Sequence, residues 1–492
     1  MGEMLRRTAV STNVKERLDF SCALLDADGE LVVNAPHIPV HLGALGLCVR
    51  SVRKIIDMRE GDVVVTNHPG YGGAHLPDIS LITPVFFDGR LLGYAANRAH
   101  HAEIGGSRPG SMPPNATTLA EEGTVIKPTY LVQNNQPRWD EIERIFTNGP
   151  YPTRALQENL ADLNAGVASN YRGVVALQKL AENYGAEQVA FHMRELKNHA
   201  RRHIENEFAK LDGEIYSAEE LLDDGSRLSV KISIKSQKAV FDFSGTSPTH
   251  PGNLNATPAI VRSAVMYVLR LLVKEALPLN EGLMQAVEIK LPTCLLNPDF
   301  PGDPAKAPAV VGGNVETSQR LVDTLVKAFG LLACGQGTMN NTLFGNDNFG
   351  YYETICGGSG AGPGFNGASA VHTHMTNTRI TDPEIIEHRY PVRLDQFAIR
   401  RGSGGAGEFR GGNGAVREIT FLEPVALSMV TQHRVQKPFG VNGGEPGNTG
   451  RQKVVRKSGE IVELRSVDGC DIEAGDKLII ETPGGGGYGK ID

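Results

Sequence analysis

Hydrophobic positions follow helical spacing in the middle of the chain and strand spacing nearer its ends. Apolar residues recur at core-facing helical intervals over residues 139–147, 153–185, 186–211, 255–274 and 315–332. Short apolar runs broken by turn residues fill segments 19–34 and 81–96 and dominate after residue 396. This pattern predicts an α+β, multidomain protein with a mixed N-terminal region, a helical middle and a β-rich, glycine-rich C-terminal region.

Breaks in the pattern predict four regions, with boundaries near residues 150, 250 and 395. They are an N-terminal α+β region with a candidate metal site (1–150), a helical region with a strand pair (151–250), an α/β glycine-rich region (251–395) and a β-rich module (396–492). A chain of 492 residues is too long for one ordinary core, so two or three packed domains are expected.

Composition and charge narrow the class of protein. The formal net charge is −7 and no basic stripe is present, which argues against a nucleic-acid partner. No apolar run reaches about 18 residues, so no membrane-spanning helix is expected, and the N-terminus lacks a signal-peptide pattern. The six cysteines form no CxxC pair, which predicts reduced, mostly buried thiols in a cytoplasmic protein and no zinc site built of thiolates.

Glycine is the unusual residue, with 57 copies that concentrate after residue 312. The tracts at 312–314, 357–362, 402–407 and 484–487 predict tight turns and close backbone approaches. No GxxxxGK[ST] motif occurs, and no tract leads from a predicted strand into a helix, so a nucleotide-binding fold is unsupported. Backbone N–H groups placed near an anionic intermediate are the alternative role.

The densest set of chemically active side chains lies in the first 110 residues. His75 and Asp78 fall in the turn HLPD, and His100, His101 and Glu103 follow a strand-like run in RAHHAE. Histidine and carboxylate without cysteine suit a catalytic transition-metal site that keeps an open position for water. The alternative is that these histidines cap backbone carbonyls or lie exposed in loops.

Further polar residues admit two interpretations each. His37 and His41 are four residues apart, but a proline lies between them, which favours a role for His41 at the start of the following helix. Asp19 interrupts an apolar strand run, either on a solvated hairpin face or as a ligand. His372 and His374 would share one face of a strand and could meet one ion, although the polar context favours a loop.

Ten stretches taken in order resemble the hydantoinase B/oxoprolinase family, and together they span nearly the whole chain. They are ERLDFSCAL (16–24), APHIPVHLG (35–43), GGAHLPDI (72–79), RAHHAEIGG (98–106), PGSMP (109–113), FDFSGT (241–246), GGNVETSQ (312–319), YETI (352–355), TNT (376–378) and PGGGGYG (483–489). Family members tend to carry some tens of residues before the segment matching Met4 to Thr8, whereas this chain begins almost at that segment. The resemblance therefore implies either a shortened first helix or a misplaced start.

The resemblance implies the B-type, metal-bearing subunit of an ATP-dependent enzyme that opens a cyclic amide such as 5-oxoproline, a hydantoin or a lactam. A hydantoinase A-type partner in a hetero-oligomer would hold ATP and phosphorylate the amide oxygen, and the B-type subunit would add water with a divalent zinc, manganese or iron ion. The predicted ligands are Asp19, His75, Asp78 and His101. His100 could replace one of them or act in catalysis, and Glu103 is the predicted proton-handling group.

Three other functions remain open from the sequence. Related subunits belong to ATP-dependent carboxylases of acetone or acetophenone, and the candidate site motifs do not separate the two reactions. The chain could also be a non-catalytic scaffold for the ATP-binding partner, without a metal. The third is a metallohydrolase that needs neither partner nor ATP.

Overall fold

The computed structural model describes residues 1–34 and 38–491, so His37 lies outside the described residues. The N-terminal elements in chain order are α1 (Gly2–Thr8), α2 (Thr12–Lys15), β1 (Phe20–Asp26), β2 (Leu31–Asn34), α3 (Ala44–Val52), β3 (Val63–Thr66), β4 (Asp78–Phe87), β5 (Arg90–His100), α4 (Leu119–Glu122), β6 (Thr129–Gln133), β7 (Gln136–Pro137) and α5 (Trp139–Thr147). Their strands form one antiparallel sheet in the order β2-β1-β5-β4-β3-β6-β7.

The β4–β5 hairpin is the element that positions the candidate site. Asp88 and Gly89 form its tip with positive φ angles of 48° and 72°, the backbone shape that a tight two-residue turn needs. This turn sets a register in which Asp78, the first residue of β4, stands opposite His100, the last residue of β5. The hairpin predicted from the sequence is confirmed.

The middle of the chain contains two long helices and a small sheet. Its elements are α6 (Leu156–Tyr184), α7 (Ala186–Lys210), β8 (Ile215–Leu221), β9 (Arg227–Lys235), β10 (Lys238–Asp242), α8 (Pro258–Leu272), β11 (Val287–Lys290) and α9 (Ser318–Ala328), and the strand order is β11-β10-β9-β8. A π-helical turn (Gly313–Thr317) leads directly into α9. The predicted central helices are confirmed to within a few residues.

The C-terminal part is built from two further sheets. Its elements are β12 (Asn341–Asn346), β13 (Phe349–Glu353), α10 (Pro383–Arg389), β14 (Val392–Arg400), β15 (Gly414–Phe421), β16 (Val425–Val430), β17 (Arg451–Val455), β18 (Ile461–Leu464), β19 (Val467–Ile472) and β20 (Lys477–Glu481). The strand orders are β13-β12-β16-β19 and β14-β15-β20-β17-β18. Strand β12 belongs to the predicted third region, but it pairs with β16, which lies beyond the predicted boundary near residue 395.

The predicted α+β class is confirmed, since the described residues form four sheets together with a central helical stretch. The largest apolar cluster contains buried side chains from Ile38 to Val430, so residues from all four predicted regions share this core. None of the six cysteines forms a disulfide bond, and five of them are buried, as expected. Among the described residues, no helix combines the length and apolar character that crossing a bilayer requires.

The glycine tracts pack backbone against backbone. A Cβ on Gly485 would clash with the carbonyl oxygen of Ser359, and one on Gly412 would clash with that of Ala368. The N–H groups of residues 484–487 all donate to backbone carbonyls, at 2.8–3.1 Å. Close approach of extended segments therefore explains the glycine tract at 484–487. The alternative role of this tract in binding an anion is wrong, because its N–H groups already donate to backbone carbonyls.

We expect Gly485→Ala to destabilise the protein by about 1–3 kcal/mol or more, because the added methyl group forces the packed backbone segments apart. Thermal and chemical unfolding would measure the loss. Gly149→Ala is the matched control, since a Cβ at Gly149 would meet nothing within 4 Å, and its effect should stay within about 0.5 kcal/mol. Equal stability of the two variants would contradict the close packing described here.

Candidate metal centre

Three of the polar residues singled out in the sequence come together at one end of the β4–β5 hairpin. Asp78 begins β4, His100 ends β5, and His75 lies in the turn that precedes β4. All three side chains are buried, and one ligand-type atom from each lies within 4.8 Å of the others. The cross-strand register brings His100 against Asp78, and His75 reaches the same place from the turn just before β4.

The distances suit coordination of a single ion. Oδ1 of Asp78 lies 3.3 Å from Nε2 of His75 and 3.4 Å from Nδ1 of His100. Two ligands that are each about 2.1 Å from one ion lie about 3.4 Å apart at the tetrahedral angle. Oδ1 is buried and makes no hydrogen bond, an expensive state for a carboxylate oxygen that a bound cation would relieve. The residues present therefore fit a divalent metal ion.

The second oxygen of Asp78 is held by His41. Nε2 of His41 lies 3.1 Å from Oδ2, and Nδ1 lies 3.0 Å from Oγ of Ser21. Oγ of Ser21 accepts the N–H of Ile38, so the hydroxyl proton of Ser21 is free to be donated to Nδ1 of His41. Nδ1 then carries no proton, and Nε2 of His41 is the donor to Asp78. Partners of this kind orient a ligand and fix the tautomer.

Burial would raise the pKa of Asp78, but the imidazoles of His75 and His41, together with the contacts to His100 and His41, hold that pKa well below its usual value. Burial lowers the pKa of His100. The site therefore offers an ionised carboxylate beside a neutral imidazole, which are the protonation states that bind metal ions.

Asn314 adds an amide to the site from a distant part of the chain. It lies in the π-helical turn before α9, and its Nδ2 is 3.1 Å from Nε2 of His75. Oδ1 of Asn314 is buried without a hydrogen-bond partner. Single π-helical turns often occur at functional sites, and this one presents an amide beside a candidate ligand atom.

An aromatic ring fixes the orientation of His100. The ring of Tyr352 stacks on it, with centroids 4.6 Å apart and planes 17° apart. The hydroxyl of Tyr352 donates to Oδ1 of Asn341 at 2.9 Å. The guanidinium of Arg17 lies over the same ring, 4.6 Å from its centre, and donates to the carbonyl of Tyr352.

Two predicted ligands lie outside the group. His101 follows His100 directly, and adjacent residues of an extended chain point to opposite sides. Its Nδ1 pairs with Oδ1 of Asn159 on α6 at 2.9 Å. The backbone of Asp19 contacts His100, because the carbonyl of Asp19 accepts the N–H of His100. In the side chain of Asp19, Oδ2 lies 3.9 Å from Nη2 of Arg17.

Glu103 is buried and binds the loop that follows it. One carboxylate oxygen accepts the N–H of Gly105 at 2.6 Å and lies 3.3 Å from Arg154, and the other accepts the N–H of Gly110 at 2.8 Å. Burial raises the pKa of Glu103. Both oxygens are thus occupied by donors of the protein itself.

One known protein family matches nearly the whole chain. The profile of the Hydantoinase B/oxoprolinase family matches residues 1–491. The chain belongs to this family. This chain is 46 % identical to 5-oxoprolinase 1 of Arabidopsis thaliana over 516 aligned residues. The alignment covers 100 % of this chain and 40 % of that protein. The chain spans about two fifths of the length of the 5-oxoprolinases it matches.

Two solved structures share the fold of this hydantoinase B/oxoprolinase family member. The ATP-dependent caprolactamase from Pseudomonas jessenii superposes with a TM-score of 0.89 at 27 % identity, covering 99 % of this chain and 88 % of that one. A nucleotide-free acetone carboxylase gives 0.88 at 18 % identity, covering 99 % and 73 %, and shows likeness of fold alone. The same fold therefore occurs in proteins named for two different reactions.

Reasoning from the sequence did not select every residue of the site. The sequence favours a role for His41 at the start of a helix and does not predict the contact that its imidazole makes with Asp78. Asn314 and Tyr352 were noted only within stretches that resemble the family, with no role assigned. His372 and His374 lie outside the described strands, and His374 contacts Asp323 rather than sharing an ion with His372.

Glu103→Gln should destabilise this family member by about 1.5–3 kcal/mol, because an amide nitrogen would replace one acceptor oxygen and face a backbone donor. Bound metal should be retained, since Glu103 lies outside the ligand group. Thermal unfolding and elemental analysis would measure both effects. Glu143→Gln, at an exposed position on α5, is the control. Loss of metal with unchanged stability would indicate that Glu103 belongs to the metal site instead.

Proposed function

We propose that this chain forms the metal-bearing, ring-opening part of an ATP-dependent cyclic-amide hydrolase of the 5-oxoprolinase or hydantoinase type. The observation that carries the proposal is the buried group of His75, Asp78 and His100, whose ligand atoms are spaced for one divalent ion. This set revises the sequence-based prediction, with His100 in the place of His101 and without Asp19.

A zinc, manganese or iron ion held by these three residues would supply Lewis acidity toward a carbonyl oxygen or a water molecule. The chain's own residues prepare the site for it. His41 and Ser21 keep the carboxylate of Asp78 in one orientation, and Tyr352 does the same for the ring of His100. The amide of Asn314 stands at the edge of the group, where it can hydrogen-bond to a substrate.

The substrate in this proposal is a small cyclic amide activated by phosphorylation. An amide carbonyl is a poor electrophile, and transfer of phosphate from ATP to its oxygen makes the carbon reactive toward water. A first water molecule adds to that carbon, and the ring C–N bond breaks as the nitrogen takes up a proton, which leaves an acyl phosphate. A second water molecule then hydrolyses the acyl phosphate to a carboxylate and free phosphate. ATP is assigned to an A-type partner in a hetero-oligomer, which agrees with the lack of a nucleotide-binding motif in this sequence. The related caprolactamase is itself named as ATP-dependent.

Neighbouring histidines provide a sharp test of the ligand set. His100→Gln and Asp78→Asn should each lose one equivalent of bound transition metal per chain, because each removes a direct ligand. His101→Gln should retain the metal, because His101 contacts Asn159 on the other side of the strand. Elemental analysis of purified, unchelated protein would measure this, with circular dichroism as the check on folding.

The reverse result, with metal lost from the His101 variant and kept in the His100 variant, would restore the ligand set predicted from the sequence. Full metal retention in folded Asp78→Asn protein would remove the site altogether and favour the scaffold function.

The reaction itself is tested with the chain and its A-type partner together. We expect ATP-dependent opening of 5-oxoproline, a hydantoin or a lactam, with at least a 100-fold loss of turnover in Asp78→Asn, about the size that removal of a key electrostatic group produces. Amino-acid or open-chain product and released phosphate would be measured in parallel.

Three other results would contradict the proposal. ATP turnover that depends on bicarbonate and a ketone would assign the chain to the carboxylase class. Amide hydrolysis without ATP or partner would identify a stand-alone metallohydrolase. Full activity of the folded Asp78→Asn variant would leave the chain as a scaffold.

A further inference from the structure

A second group of buried ligand-type side chains shares no residue with the candidate metal centre. It consists of Asp323 on α9, Cys334 in the segment after α9, and His433 in the loop after β16. All three are fully buried, and one ligand-type atom from each lies within 4.8 Å of the others.

The geometry of this group suits zinc. Sγ of Cys334 lies 3.7 Å from Nε2 of His433. Zinc bonds of about 2.3 Å to sulfur and about 2.0 Å to nitrogen would place these two atoms about 3.5 Å apart at the tetrahedral angle. The observed separation is close to that value, and the same contact serves as a hydrogen bond between the thiol and the imidazole when no ion is bound.

A glycine packs directly against two of the ligand atoms. A Cβ on Gly337 would clash with Nε2 of His433 and would lie 2.9 Å from Oδ2 of Asp323, so these two atoms lie on the same side of this residue. Gly337 has a φ of +59°, which further favours glycine there. Oδ2 of Asp323 is buried and has no hydrogen-bond partner. A carboxylate oxygen in this state is expected to have a partner, and a cation bound by the three ligand atoms would be one.

Hydrogen bonds orient the ligand atoms toward this space. Nδ1 of His433 donates to the carbonyl of Gln436 at 2.6 Å, which leaves the lone pair on Nε2. Nε2 of His374 lies 3.2 Å from Oδ1 of Asp323, and Tyr267 is placed to donate to the other nitrogen of that ring. His374 thus holds one oxygen of Asp323, and the second oxygen, Oδ2, lies on the side of Nε2 of His433. Carboxylates that bind metals are commonly oriented by hydrogen bonds in this way.

The charges around the group also balance with a divalent cation. A thiolate from Cys334 and the carboxylate of Asp323 would neutralise one such ion. The nearby buried guanidinium of Arg320 lies 3.6 Å from the carboxylate of Glu220, which also pairs with Lys327. Buried charges in proteins are generally paired or bound to metals, and a divalent cation would pair with both anionic ligands of this group.

We propose that Asp323, Cys334 and His433 bind one zinc ion. On binding, the thiol of Cys334 loses its proton to solvent and a sulfur–zinc bond forms. A thiolate together with an imidazole favours zinc over magnesium, calcium or manganese. Three protein ligands leave a fourth position for water.

The ion would link α9 to the glycine-rich part of the chain. Cys334 donates its N–H to the carbonyl of Phe439 and accepts the N–H of Gly486. Asp323 lies on the helix whose preceding π-helical turn carries Asn314. Zinc at this position would therefore join α9 to the glycine-rich part, close in sequence to the turn that carries Asn314.

Cobalt substitution tests the proposal by a signal that the His75–Asp78–His100 group cannot give. Protein stripped of metal and reloaded with Co²⁺ should show a thiolate-to-cobalt charge-transfer band in the near ultraviolet, because sulfur is a ligand only at the second site. The band should disappear in Cys334→Ser and persist in Cys294→Ser, a control at another buried cysteine. It should also persist in Asp78→Asn, so the outcome is independent of the proposed hydrolase function.

A cobalt-loaded wild-type protein without this band, or an unchanged band in Cys334→Ser, would overturn the proposal. Where Cys334→Ser fails to fold, zinc-edge X-ray absorption of the wild-type protein decides the question without any variant. A sulfur neighbour at about 2.3 Å supports the site, and a shell of nitrogen and oxygen alone refutes it.

Discussion

The buried carboxylate of Asp78 is the interaction around which the N-terminal half of the protein is arranged. An isolated carboxylate in an apolar interior is strongly unfavourable, so its neighbours must be placed accurately. Three imidazoles surround it, from His41, His75 and His100, and each belongs to a different local element. The antiparallel register of β4 and β5 supplies one of these neighbours directly, since Asp78 and His100 face each other across the hairpin.

The candidate metal centre also depends on segments far from that hairpin. The π-helical turn before α9 brings Asn314 beside His75, and β13 brings the ring of Tyr352 against His100. Local unfolding of either segment would leave the two histidines without these contacts. This dependence agrees with a core that draws on residues from all four predicted regions, because the site forms only when the long-range packing is complete.

Close backbone packing in the glycine-rich part is a second constraint, and it determines the geometry of the proposed zinc site. Cys334 is hydrogen-bonded within that part through both its N–H and its carbonyl, and Gly337 packs directly against Nε2 of His433 and Oδ2 of Asp323. Asp323 reaches the same point from α9. A protein with both ions would thus use one metal for chemistry and another to stabilise the packing between α9 and the glycine-rich part.

The sequence by itself determined the α+β class, the central helices, the β4–β5 hairpin and the stretch that carries the candidate ligands. Periodicity reports which face of a local element is buried, and the Asp88–Gly89 turn specifies a local hairpin. Within HLPD and RAHHAE the sequence also indicated the histidine and carboxylate side chains that meet in the candidate metal centre. It did not distinguish His100 from His101, because that choice depends on which side of β5 faces Asp78.

Tertiary structure decided the remainder of both sites. The roles of His41, Asn314 and Tyr352 follow from contacts between elements that are distant in sequence, and no short motif links Asp323, Cys334 and His433. Spacing along the chain carries information only within one helix, strand or turn. Pairing between distant elements is set by the register of the sheets and by the packing of the shared core, which only the folded chain determines.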